Sequence, residues 1–343
     1  MANGYWEEHK DEFNQFFEET YEREMKDINE QLDKDILFVL IGNINSGKSS
    51  TINVLMDDKV AKVSSKPGET INIKEHKYAD KILFVDTPGL DDIMKDNSDA
   101  TLNYYKKADI ILFFLNAAGN VLSLTEKKVF EKIKKHNENI IIVLNKIDAA
   151  EDIPELTNYI SQELGSEYKI IPISSKTEEN IDKLKGEILQ ILKVKKKDIL
   201  FAKHVKEKSS IAHRWIIAAA ASAGAVGVTP IPGADIVPIT AIQVGLLLKL
   251  SHLYDKPISK DNAKKMVLTT VTGNVGRATY RQLVKLVPGY GAVVAGGVAS
   301  GITLALGEAI KYAYENEINL DSDSLKAIYE IWSKKGKQEK IKD

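Results

Sequence analysis

The strongest constraint in this chain is an eight-residue run, Gly42-Asn43-Ile44-Asn45-Ser46-Gly47-Lys48-Ser49, which fits the pattern GxxxxGK[ST]. It follows an apolar stretch at 36–41 and opens a helix expected over 47–56, the context the pattern requires. Glycines let successive backbone N–H groups wrap an anion, and the helix N-terminus adds partial positive charge. In this reading Lys48 reaches the β- and γ-phosphates of a nucleotide and Ser49 ligates Mg²⁺. Asn43, Ile44, Asn45, Ser46, Gly47 and Ser50 complete the expected phosphate-binding set.

The pattern around this loop is α/β. Short apolar runs at 36–41, 81–85, 109–115, 139–144 and 169–173 alternate with helical stretches near 100–107, 124–135, 153–164 and 178–193. Strands buried on both faces read as such runs, and intervening helices imply parallel βαβ units. A more polar run at 71–79 reads as an edge strand. The expected fold is a doubly wound, mostly parallel sheet, with an N-terminal helix before it and a second, all-α domain after it. Ligand belongs at the carboxyl ends of the strands.

Three further motifs sit at those strand ends, and one further residue lies in a loop. In Asp86-Thr87-Pro88-Gly89, the Asp86 carboxylate can hold Mg²⁺ through a water and the Gly89 N–H can meet a γ-phosphate. Asn145-Lys146-Ile147-Asp148 points to guanine, whose N1–H and N2–H₂ donors one carboxylate can accept together. Adenine lacks that donor pair and would leave Asp148 unmatched, a costly mismatch. Asn145 is expected to brace the loop and touch the other base edge, with the Lys146 stem over the base face. Ser174, Ser175 and Lys176 end the last strand, where backbone N–H groups can meet the guanine O6. Thr70, close to Pro67 and Gly68, is placed to ligate Mg²⁺ when the nucleotide orders its loop.

Composition removes several other classes. The chain has no cysteine, so disulfides, thiolate zinc sites and cysteine nucleophiles are excluded, and a reducing compartment fits. The six histidines are scattered, and a formal net charge of -2 carries no nucleic-acid signature. The opening MANGYWEEHKDEF is acidic and polar, unlike a secretory leader. The expected location is cytoplasmic, with membrane association left open.

These elements, in this order, make residues 35–195 resemble the Era-like/TrmE-like branch of small GTP-binding domains, a group related to 50S ribosome-binding GTPases. The resemblance implies GTP hydrolysis to GDP and phosphate, with Mg²⁺ as cofactor and Lys48 and Thr70 as catalytic residues. In potassium-stimulated members an asparagine at the position of Asn45 helps hold a K⁺ ion beside the phosphates, and some of these members act as G-domain dimers. Leu90 stands where Ras-like domains carry a water-orienting glutamine. The phosphate loop lacks arginine, so K⁺ held partly by Asn45 is the expected source of transition-state charge.

Flanking segments complete the layout. Trp6, Phe13, Phe17, Tyr21, Met25, Ile28 and Leu32 mark an amphipathic helix within 1–34. A charged run at 193–198 reads as a hinge, residues 199–332 as an α-helical domain, and 333–343 as a basic tail. Residues 211–315 resemble a bacterial helical domain of unknown function that follows GTPase domains. The layout as a whole has a distant likeness to immunity-related GTPases. The stretches at 215–234 and 286–307 lack charge and are rich in Ala and Gly. Each is long enough to span a bilayer, and small residues also pack tightly in soluble bundles, so both readings stay open. Asp235 reads as a helix cap. The expected function is a GTP-dependent switch whose helical domain contacts a membrane or protein partner. A nucleotide-gated binding module with negligible turnover and a dynamin-like membrane remodeller are the alternatives.

Overall fold

The computed structural model describes residues 10–56, 62–64, 74–78, 80–87, 90, 99–226, 236–272 and 297–339. They form two compact units, Gln31–Lys206 and a second composed of Met1–Glu30 with Glu207–Asp343. Thr70, Gly89, Asp235 and parts of the two Ala/Gly-rich stretches lie outside the described residues.

The first unit is built on a seven-stranded sheet in the order β2-β3-β4-β1-β5-β6-β7. Its strands are β1 (Ile36–Gly42), β2 (Lys62–Ser64), β3 (Lys74–Tyr78), β4 (Ile82–Asp86), β5 (Ile110–Asn116), β6 (Ile140–Asn145) and β7 (Lys169–Ile173). β4, β1, β5, β6 and β7 run parallel, while β2 and β3 pair antiparallel on one side. The five parallel strands are the five apolar runs of the sequence. Side chains of β1, β4, β5 and β6 are buried on both faces, which is why they show no polar alternation, while β7, the outer strand, buries only Ile171 and Ile173. Phe38 and Phe84 stack at 4.6 Å across β1 and β4, and Phe201 packs on Phe38 at 5.5 Å. The polar strand β3 is not the edge: three-residue β2 lies outside it, too short and polar to show a period in the sequence.

The helices of this unit are α2 (Lys48–Leu55), α3 (Asp99–Lys107), α4 (Leu124–Ile133), α5 (Ile153–Leu164), α6 (Ile181–Val194) and α7 (Asp198–His204); α1 (Lys10–Leu32) precedes them. α4 starts with a full capping box, in which Ser123 and Glu126 satisfy each other's backbone donors. The charged run at 193–198 is anchored within this unit. Lys197 Nζ donates to Asp109 at 2.7 Å, Lys195 Nζ lies 3.6 Å from the same carboxylate, and Lys34 Nζ donates to Lys195 O. α7 follows and buries Ile199, Leu200 and Phe201. The division between the units therefore falls after Lys206, beyond α7.

The second unit contains α8 (Lys208–Val226), α9 (Ile236–Leu253), α10 (Lys260–Thr272), α11 (Gly297–Glu315) and α12 (Ser322–Glu339), with α1 through Glu30 packed among them. The apolar stripe of α1 buries Phe13, Phe17 and Ile28. Its acidic face meets the basic start of α10: Glu22 pairs with Lys260 at 2.9 Å and Glu18 with Lys264 at 3.8 Å. Tyr21 donates to Ile258 O, and Lys264 sits over the Phe17 ring. Small residues serve close helix packing here. A Cβ on Gly307 of α11 would stand 2.7 Å from Ile216 on α8 and 3.1 Å from Leu246 on α9. Among the described residues no helix is long and apolar enough to cross a membrane.

Candidate nucleotide-binding site

The phosphate loop joins the carboxyl end of β1 to the start of α2. Two glycines have no substitute. Gly42 has φ 154°, and a Cβ there would lie 2.7 Å from Phe114 O on β5. Gly47 has φ 91°, and its Cβ would overlap the Asn145 amide. Asn45 is also left-handed, at φ 65°, a conformation asparagine tolerates. Asn43, Ile44 and Asn45 form an exposed crest, with Ile44 80% exposed. Ser49 and Ser50 face solvent in the first turn of α2.

Lys48 closes the loop. Its Nζ donates to Gly42 O at 2.8 Å and to Asn43 O at 3.3 Å, and lies 3.6 Å from Asp86 Oδ1. Asp86 ends β4, beside β1 in the sheet, so its place next to Lys48 follows from strand order. Thr87 then pins the chain: its N–H and hydroxyl both donate to Leu40 O. The Ser46 hydroxyl, 1% exposed, finds no hydrogen-bond partner among the described residues.

The base-binding motif meets this loop through Asn145, which is wholly buried at the end of β6. Its Nδ2 donates to Ser46 O at 2.9 Å, and its Oδ1 accepts from Lys146 N at 2.8 Å and Ser175 N at 3.1 Å. One amide thus joins three loops at one rim of the sheet. Lys146 takes φ 67°, which turns the chain so that Asp148 comes over the end of β7. There Asp148 Oδ1 accepts from Ser174 Oγ at 2.7 Å, and Lys176 Nζ lies 3.7 Å from Oδ2. The Ser174 bond is the main reason the Asp148 carboxyl is held below the ordinary carboxylate range, with Lys176 adding to it.

Residues 37–146 match the family described as 50S ribosome-binding GTPase. This chain carries a P-loop GTPase domain. Residues 194–317 match a domain of unknown function, DUF697. The chain is 33% identical over 177 residues to the tRNA modification GTPase MnmE of Thermotoga maritima, covering 49% of this chain and 38% of that protein. It is 33% identical over 199 residues to GTPase Era of Ureaplasma urealyticum, covering 53% of this chain and 62% of that protein. A solved G domain of the T. maritima FeoB iron transporter is similar at 24% identity and a TM-score of 0.35, covering 46% of this chain and 98% of that one. This chain therefore spans less than two thirds of the length of the MnmE and Era proteins it matches.

Within the GTPase domain the oxygen donors suit Mg²⁺: the exposed Ser49 hydroxyl and the Asp86 carboxylate are hard ligands that leave room for water and phosphate. Leu90 is 3% exposed and belongs to the core cluster that includes Val39, Val85 and Tyr105. Three contributors to the site went unread in the sequence. Thr87 ties the loop after β4 to β1, and the Ser174 hydroxyl, not only its backbone, serves Asp148. Glu126 on α4 accepts from the Asn43 side chain. Only Glu126 had a local signal, the S-x-x-E spacing from Ser123.

Proposed function

We propose that this chain binds GTP with Mg²⁺, hydrolyses it to GDP and phosphate, and uses the two nucleotide states as a switch. The observation that carries the reading is the Asn145 amide, which ties the phosphate loop to the guanine-type motif and the Ser175 loop in one wholly buried contact. That junction brings both motifs to one rim of the sheet, where a single nucleotide can span them.

In this mechanism the N–H groups of 43–48 and the Lys48 ammonium hold the β- and γ-phosphates, while Asp148 accepts the two guanine donors and Ser174–Lys176 line the O6 side. Ser49, Thr70 and Asp86 would hold Mg²⁺, which would supply neutralisation of the charge that develops on the phosphoryl oxygens. The Gly89 N–H would meet the γ-phosphate. Catalysis is mostly positioning and charge stabilisation. The exposure of Asn45 on the crest of the loop supports its side-chain oxygen as a K⁺ ligand. A second copy docking on that face is the arrangement by which the ion site would be completed. The burial of Leu90 favours a second reading, a nucleotide-gated binding module with negligible turnover.

The state passes to the helical unit along the chain itself. α2 starts at the phosphate loop, its C-cap Met56 forms an antiparallel bridge with Val205, and Lys206 N donates to Leu55 O at 3.0 Å. Lys206 is the last residue before the helical unit. A displacement of α2 thus acts on the segment that leads into that unit.

Phosphate release from GTP in KCl and in NaCl, at several protein concentrations, tests the reading, with Asp148→Asn assayed in parallel on guanine and xanthine nucleotides. Faster turnover in KCl that rises with protein concentration is expected, as is a shift of Asp148→Asn toward xanthine. Equal rates in the two salts would remove the K⁺ role, and no turnover in either would select the binding module. Unchanged base selectivity would refute the base pocket.

A further inference from the structure

We propose that Glu126 is a positioning residue for the phosphate cradle, acting through the Asn43 side chain. The proposal rests on the nucleotide reading above and assigns a role to a residue outside all of the nucleotide motifs. The two oxygens of the Glu126 carboxylate have separate tasks. Oε2 accepts from Ser123 N at 2.7 Å and Ser123 Oγ at 2.9 Å, which caps α4. Oε1 accepts from Asn43 Nδ2 at 2.8 Å, which reaches across to the phosphate loop.

A helix cap alone needs only the first task. Capping glutamates commonly sit in solvent, yet Glu126 is 2% exposed. Its charge is favoured there by the N-terminal dipole of α4, and a carboxylate acceptor makes the bond to Asn43 stronger than a neutral one. Asn43 in turn holds the loop. Its carbonyl accepts from Ser46 N at 3.1 Å, closing the turn, and from Lys48 Nζ at 3.3 Å. Fixing the Asn43 side chain therefore restrains the turn 43–46 and one of the two carbonyls that seat the lysine. Ile44 and Asn45, the crest of that turn, project into solvent. Without the tether the crest samples more conformations, and phosphate binding must order it. GDP and GTP engage the same crest, so both should lose affinity by the same factor. Uniform loss of this kind raises KM and leaves kcat in place.

Fluorescent-nucleotide titration and steady-state turnover of the full chain test this with Asn43→Ala, Glu126→Gln, the double variant and Ser123→Ala. Asn43 is exposed, so Asn43→Ala reads the tether without disturbing the core. The expected result is a dissociation constant for GDP and for GTP about tenfold higher in Asn43→Ala, the scale of one charge-assisted hydrogen bond, and a KM for GTP that rises in Glu126→Gln while its kcat stays within about twofold. Glu126→Gln, which keeps an acceptor of the same length, should lose less. The double variant should be no weaker than Asn43→Ala, because both changes act on one bond. Ser123→Ala removes the hydroxyl of the cap and should leave nucleotide affinity unchanged. Unchanged affinity in Asn43→Ala, additive losses in the double variant, or a loss in Ser123→Ala equal to that in Asn43→Ala would overturn the proposal. If the wild-type chain bound neither nucleotide, the function reading itself would fall, a result distinct from any of these.

Discussion

Asn145→Ala separates a brace from a base contact. The wild-type amide bonds Ser46 O, Lys146 N and Ser175 N at 2.9, 2.8 and 3.1 Å, and the residue is wholly buried. At ~1 kcal/mol net per bond the three together are worth roughly 3 kcal/mol. Alanine also strands buried polar groups out of reach of water, which raises the cost to about 3–5 kcal/mol. In a unit of this size each kcal/mol lowers Tm by about 2–4 °C, so a fall of roughly 10 °C is expected. All of these bonds are between protein groups and none requires a nucleotide. The loss should therefore show in nucleotide-free protein by calorimetry, and GDP should restore part of it by mass action. A Tm within about 2 °C of wild type, together with a collapse of GDP affinity, would refute the reasoning. It would mean that Asn145 acts on the base and that the three loops hold their places without it.

Two further outcomes follow from the geometry. Because the Ser174 hydroxyl holds the Asp148 carboxyl below its usual range, the ionised form, and with it guanine recognition, persists as pH falls until that lowered value is reached. Ser174→Ala should move the acid limb of GDP affinity upward, toward the ordinary aspartate value of about 3.9; a limb that does not move would show that other groups set it. Lys206→Pro removes the N–H that donates to Leu55 O. It should leave GDP affinity nearly unchanged while abolishing any difference in protease sensitivity of the helical unit between GDP and a non-hydrolysable GTP analogue. Persistence of that difference would exclude this route of coupling.

Local chemistry made much of the molecule legible from its residues alone. The five apolar runs became the five parallel strands because a strand buried on both faces must be apolar throughout, and that property survives without knowledge of its neighbours. The motifs at strand ends were readable for a similar reason: each is a short contiguous backbone shape, and only certain side chains permit it. Gly47 at φ 91° and Asn45 at φ 65° are such positions. What tertiary structure alone decided concerns partners remote in the chain. Asn145 and Ser46 are 99 residues apart, Asn43 and Glu126 83, and Tyr21 and Ile258 237. No local period records such a pairing, since hydrogen bonds and ion pairs form wherever the fold brings a donor to an acceptor. The same holds for the end of the first unit. The lysines of 193–198 have the composition of a linker, and the buried Asp109 carboxylate, supplied just before β5, holds Lys195 and Lys197 to this unit.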